Sequence, residues 1–160
     1  MSTQQLITKT SPAVDALTQL LGAHATLTRE LSAALVAEHG LTMNDYGCLL
    51  LLHRAGEEGM RRIDLATELQ LSPSGITRLL DRLMDQGLVG RGACKEDARV
   101  SYAVLTDGGL AKLRETAPGH VEDIERRLGA VLDKEEMETL AALLQRLSGS
   151  DFDSGDCTPD

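Results

Sequence analysis

The chain has 160 residues, enough for one compact domain or two that share a core. Apolar residues make up 42 % but aromatics only 2 %, with no Trp, so the core has to be built from Leu, Ala, Val and Ile, which suits packed helices. The formal net charge of −9 runs against a broadly basic nucleic-acid binder, yet it is unevenly spread. Asp151, Asp153, Asp156 and Asp160 crowd the C-terminal tail, whereas the stretch 72–102 sets Arg78, Arg82, Arg91, Lys95 and Arg99 against Asp81, Asp85, Glu96 and Asp97.

No apolar run approaches the ~20 residues of a membrane span. The N-terminus has no charged segment followed by an apolar one, so no secretory signal is read there. Cys48, Cys94 and Cys157 are odd in number and widely spaced, which fits neither a disulfide framework nor a zinc site. These features imply a reduced, cytoplasmic protein with no metal and no cofactor.

Residues 1–11 are polar and read as a flexible tail. Ser11-Pro12 is a helix start, a cap residue followed by Pro at the first helical position. Val14, Leu17, Leu21, Leu31 and Leu35 then recur at three- and four-residue steps, a long amphipathic helix that Gly40 stops. His24 and Thr28 fall on that stripe. Thr42 caps a second helix, with Asp45 in the capping-box position and Tyr46, Leu49, Leu50 and Leu52 along it to Ala55. After a turn at 56–59, Met60-Arg61-Arg62 is short and extended, and 63–69 is a short helix with Leu65, Ala66 and Leu69 inward.

Ser72-Pro73 repeats the cap-then-Pro pattern and opens a helix that ends at Gln86, before Gly87. Ile76, Leu79, Leu80, Leu83 and Met84 form its apolar side; Ser74, Thr77, Arg78, Asp81, Arg82 and Asp85 form the other. The period then changes to two: 88–94 and 100–105 read as strands around a charged tip, Lys95-Glu96-Asp97-Ala98-Arg99. Thr106 caps a further helix carrying Leu110, Leu113, Val121, Ile124 and Leu128, with a bend expected at Pro118. A last helix from about Lys134 carries Met137, Leu140, Leu143, Leu144 and Leu147, and the Ser/Gly/Asp-rich end reads as disordered.

Two short helices joined by a tight turn form a helix-turn-helix, whose second helix enters the major groove with its N-terminal residues toward base edges. Here the N-terminal turn of that second helix holds Ser74, Thr77 and Arg78, with Gly75 beside Ser74. Small hydroxyls permit close approach, Arg78 matches guanine or a phosphate, and the amides of Ser74 and Gly75 favour phosphate. Arg82, one turn on, and Lys95 are placed for phosphate. The hairpin is a wing, with Arg99 at its tip for the minor groove and Asp97 to hold it in one pose. Against this stands the plainer reading of Arg78 and Arg82, alternating with Asp81 and Asp85, as a salt-bridged solvent face. Arg61 and Arg62 either touch the DNA backbone or are ordinary surface residues.

The run Leu71-Ser72-Pro73-Ser74-Gly75-Ile76-Thr77-Arg78-Leu79-Leu80-Asp81-Arg82-Leu83, then Gly87-Leu88-Val89, then Asp97-Ala98-Arg99 with Leu105-Thr106 and Gly109, resembles the multiple-antibiotic-resistance-regulator (MarR) family over about residues 12–148. Ala98 departs from the second basic residue that the family often has in the wing. The resemblance implies a mainly α fold of about six helices and a two- or three-stranded wing. Residues 41–105 would be the winged helix-turn-helix, and 12–40 with 106–148 an intertwined dimerisation region between the tails 1–11 and 149–160. It further implies a homodimer on a pseudo-palindromic site in double-stranded DNA, usually a repressor, released by a small aromatic or anionic effector.

His24, Thr28, Tyr46 and His53 are candidate effector-pocket residues, or else satisfied core and interface residues. Cys48 reads as a small core residue rather than a redox switch. No carboxylate pair, nucleophile set, phosphate loop or metal spacing stands out, so the chain is not read as an enzyme. The rival function is a winged-helix protein-interaction module that has lost DNA binding.

Overall fold

The computed structural model describes residues 11–93 and 101–148. The chain divides into two compact units, Met1–Met43 and Asn44–Asp160.

Among the described residues, the first unit contains one long helix, α1 (Pro12–His39). Its start is built as expected. Ser11 is extended and its Oγ accepts from the Val14 amide at 3.3 Å, and Pro12 occupies a position where no amide proton is needed. Gly40 ends the helix at φ 68°, a left-handed conformation that glycine adopts without strain. Val14, Leu17 and Leu21 lie exposed along α1.

The second unit opens with α2 (Met43–Ala55) and a 3₁₀ turn, Gly56–Glu58. Gly59 follows at φ 66°, where a Cβ would fall 2.3 Å from the Ala103 carbonyl oxygen, so only glycine fits. The short extended segment expected at 60–62 is β1 (Met60–Arg61), and the short helix is α3 (Arg62–Glu68). In the turn to the next helix the Leu71 amide donates to Ala66 O at 2.8 Å, and Gln70 sits at φ 53°. A left-handed conformation is unusual for a residue with a Cβ and was not legible from the sequence.

The helix expected to end at Gln86 is α4 (Pro73–Asp85). Ser72 caps it, its Oγ accepting from the Gly75 amide at 3.1 Å. At the far end Gly87, at φ 71°, donates to Met84 O, and Leu88 donates to Leu83 O, both at 2.9 Å. This is a Schellman motif, which satisfies the last carbonyls and turns the chain directly into a strand. Ile76, Leu79, Leu80 and Leu83 are buried, so the apolar stripe read from the sequence is the packed face.

Strands β2 (Val89–Ala93) and β3 (Ser101–Leu105) pair antiparallel from Val89 opposite Leu105 to Ala93 opposite Ser101. β1 joins the other edge of β3, with Met60 opposite Ala103, giving the order β1-β3-β2. The hairpin is thus the three-stranded form of the expected wing.

Thr106 does two things at once. Its Oγ1 accepts from the Gly109 amide at 3.0 Å, capping α5 (Asp107–Gly129), and donates to Gly87 O at 2.7 Å. One hydroxyl therefore ties the end of α4 to the start of α5. A Cβ on Gly109 would lie 2.1 Å from the Leu88 carbonyl oxygen, which gives the Leu-Thr-x-x-Gly pattern a physical basis. α5 continues through Pro118, and α6 (Lys134–Ser148) begins with Asp133 and Glu136 in a reciprocal capping box, both bonds 2.9 Å.

The core of this unit is aliphatic, as the scarcity of aromatics requires: Leu49, Leu52, Leu65, Ile76, Leu80, Leu83 and Val89 are buried together with Cys48. No helix among the described residues is long and apolar enough to cross a membrane. Gly109→Ala is expected to lower thermal stability by about 1–3 kcal/mol, because backbone must shift to admit the methyl group. Gln70→Gly is expected to raise it by up to about 1 kcal/mol, the strain relieved exceeding glycine's greater entropy loss; thermal unfolding checks both.

Candidate nucleic-acid interface

Helix α4 presents Ser74, Arg78 and Arg82 four residues apart along one exposed stripe, opposite its buried face. Each is held differently. Ser74 Oγ lies 3.2 Å from Ser72 Oγ, and Arg78 Nε donates to Ser74 O at 3.3 Å, which lays the arginine back along the first turn. Thr77 is half-buried. Its hydroxyl donates to Pro73 O at 2.8 Å and accepts from Arg62 Nη1 at 3.4 Å. With its proton engaged, Thr77 offers an incoming base its methyl group and an accepting lone pair, not a donor. The Gly75 amide is engaged by the Ser72 cap.

Arg82 is the most constrained of the set. Its Nη2 donates to Oδ1 of Asp45 on α2, thirty-seven residues away in the chain. The Asp45 side chain is 3 % exposed and that of Arg82 47 %. The acid expected to complete a capping box on α2 is thus a buried partner of α4. The sequence carried a signal for this. Asp45, Cys48, Leu49 and Leu52 recur at helical spacing and all are buried, so the carboxylate stands on the apolar stripe of its helix. A charge there requires a partner.

Two arginines stand at the start of α3, Arg61 as its N-cap and Arg62 as its first residue. Arg61 makes a bidentate pair with Asp64, Nε to Oδ2 at 2.7 Å and Nη2 to Oδ1 at 2.9 Å. Arg62 reaches Thr77, a link that sequence reasoning missed. Arg91 is exposed on β2. Lys95, Asp97 and Arg99, expected at the tip of the wing, and Cys94 with them, lie outside the described residues, as does Cys157.

The candidate effector residues fall into three settings. His24 and Thr28 are exposed, one turn apart on α1. His53 is exposed on α2. Tyr46 is half-buried, with its ring edge-on to His120 of α5 at a centroid distance of 4.7 Å and 63° between planes. His120 belongs to a buried polar row on α5 with Thr116 and Asp123. Asp123 is paired with both Arg126 and Arg127, the latter at 3.0 Å.

Cys48 is fully buried, and its pKa is pushed up to about 12, first by removal from water and then by the negative charge of Asp45. The thiolate, the nucleophilic form, is therefore strongly disfavoured at pH 8.

The MarR family model matches residues 41–101, from the start of α2 to β3. The HTH-type transcriptional repressor Rv2887 of Mycobacterium tuberculosis is 32 % identical over 127 residues, spanning 79 % of this chain and 88 % of that protein. This chain belongs to the MarR family. Among solved structures, the MarR family regulator AbsC from Streptomyces coelicolor is 34 % identical with a TM-score of 0.73, over 87 % of this chain and 94 % of that one. Sco3205, a MarR family regulator from the same organism solved in complex with DNA, is 27 % identical with a TM-score of 0.76 over 90 % of each chain. The fold is the winged helix-turn-helix of MarR regulators, and the relatives are transcription regulators, not enzymes.

In this MarR-family regulator Cys48 is expected to resist alkylation by iodoacetamide at pH 8 in the native protein and to react only after unfolding. Peptide mass spectrometry separates its labelling from that of Cys94 and Cys157. Native labelling at Cys48 at rates comparable to an exposed thiol would show that the core opens there.

Proposed function

We propose that this regulator is a repressor that binds a pseudo-palindromic operator in double-stranded DNA as a homodimer, and that a small aromatic or anionic effector releases it. The observation that carries the reading is α4: capped, terminated and buried on one side, with Ser74, Arg78 and Arg82 left exposed on the other. A fixed helix with an open, arginine-bearing N-terminal half suits insertion into a major groove. That Sco3205 is solved in complex with DNA supports a DNA partner here.

Residues 41–105 would form the DNA-binding unit. Ser74, Thr77 and Arg78 would face base edges, Ser74 and Gly75 would bring the backbone near phosphate, and Arg82 and Lys95 would contact phosphates. Arg99, steadied by Asp97, would enter the minor groove. Residues 12–40 and 106–148 would form the dimerisation region. Val14, Leu17 and Leu21 on α1 and Leu143 and Leu147 on α6 are exposed in the single chain, and a second copy is the partner that would cover them. Two-fold symmetry would then set two α4 helices about one turn of DNA apart. For the effector, the Tyr46–His120 ring pair offers stacking and polar groups together, with His24, Thr28 and His53 as the further candidates. A DNA partner would put the protein in the cytoplasm. No observation favours a module that has lost DNA binding, since the arginines of α4 are all in place.

Fluorescence anisotropy on the native upstream DNA and on scrambled DNA, at two salt concentrations, tests this reading. Salt-sensitive preference for the native fragment is the expected result; absence of binding to any duplex at low salt would reject it. Arg78→Ala should weaken operator binding by about 1–3 kcal/mol and relax preference at one base pair, whereas Arg99→Ala should weaken all sequences alike.

A further inference from the structure

Helix α4 is joined to the rest of its unit by two kinds of contact. Ile76, Leu79, Leu80 and Leu83 provide an aliphatic face, which is strong but non-directional. A Leu-rich face tolerates small rotations and slides of the helix. Two polar links give direction: Arg62 of α3 to Thr77 in the N-terminal half, and Arg82 in the C-terminal half to Asp45 of α2. The second joins a nearly fully buried carboxylate to a guanidinium that remains half in water.

We propose that Asp45 is a positioning residue for operator binding: its buried carboxylate fixes one edge of the Arg82 guanidinium so that the other edge meets a DNA phosphate already ordered. The inference rests on the DNA-binding reading above and adds to it an acid that lies behind the interface and never touches DNA. A guanidinium has five N–H donors in a planar fork, so pairing with Asp45 on one edge leaves donors for an acceptor outside. A free arginine surrenders rotamer freedom when it binds, whereas one held in advance has already done so. Arg82 also lies on the stripe of Ser74 and Arg78, so fixing it fixes the roll of the whole reading face.

A purely electrostatic role and a positioning role predict opposite signs for one substitution. Asp45→Asn removes a negative charge close to the interface, which by Coulomb attraction alone would tighten DNA binding. Positioning predicts the reverse. The experiment is anisotropy on the operator from 50 to 200 mM salt for the parent, D45N, R82Q and the double variant, each first checked by thermal unfolding to be folded at the assay temperature. Expected is at least a tenfold loss for D45N, with the slope of log affinity against log salt reduced by about 0.9, one phosphate contact. R82Q should show the same reduced slope, and the double variant should bind no worse than R82Q. A structural role alone would leave the salt slope unchanged.

D45N that binds as tightly as the parent, or more tightly, with the parent's slope overturns the proposal while leaving the DNA reading intact. A parent that binds no duplex overturns both. If D45N is unfolded, the Arg82 Nε–H resonance of the parent decides: a rigid signal in the free protein that shifts on adding operator supports the proposal, and a mobile or unshifted signal overturns it.

Discussion

A carboxylate sunk into an aliphatic core is the constraint on which this fold turns. Asp45 shares its helix face with Cys48, Leu49 and Leu52, none of which can compensate a charge. Burying it unpaired would be prohibitive, so Arg82 has to come to it, and with Arg82 comes α4. The same charge helps keep Cys48 a thiol. Around that point the other fixings of α4 fall into order: the Ser72 cap at its start, the Schellman end at Gly87, and the Thr106 hydroxyl that carries the Gly87 carbonyl over to α5. Each is local and modest in energy. Together they define one position for a helix whose outer face keeps Ser74 and Arg78 exposed.

Those fixings differ in how far apart in sequence their partners lie, and this decides what the sequence could disclose. Ser11, Ser72 and Thr106 are capping residues that act on amides three positions ahead, and Gly40 and Gly87 stop helices that end one or two residues before them. Such features are written in consecutive residues, and all were legible. The wing strands were legible because the period of apolar residues changes at Gly87, and the buried face of α4 because it does not. The third strand was harder. β1 is two residues long and is a strand only because β3 runs beside it.

For pairings across distance the identity of the partner was not legible, even where, as at Asp45, the need for one was. Asp45 and Arg82 each have a sensible local reading, a capping-box acid and a phosphate-binding arginine, and nothing nearby in the sequence joins them. The Arg62–Thr77 link and the Tyr46–His120 ring contact are of the same kind. Gln70 escaped notice for another reason. Its left-handed backbone is imposed by the closure of the turn between α3 and α4, against the local preference of the residue. The Leu-Thr-x-x-Gly pattern was recognised before it was understood: Thr106 serves two helices, and Gly109 leaves space for the Leu88 carbonyl.

The acidity of the chain is the remaining tension with the proposed DNA reading, and its distribution resolves it. A net charge of −9 raises the potential that any polyanion meets on approach, so nonspecific association on phosphate alone is suppressed. A protein of this kind depends on a few cations in fixed places rather than on a diffuse positive surface. Affinity then varies steeply with how well those cations are placed. This is the condition under which a buried acid behind an arginine matters: with few phosphate contacts available, disorder in one of them is a large fraction of the whole. The suppressed nonspecific background also widens the ratio of specific to nonspecific binding, which is the quantity that governs occupancy of one site among many. Acidic composition and a tightly pinned recognition helix are therefore complementary, the first lowering binding everywhere and the second restoring it where base edges and phosphates match.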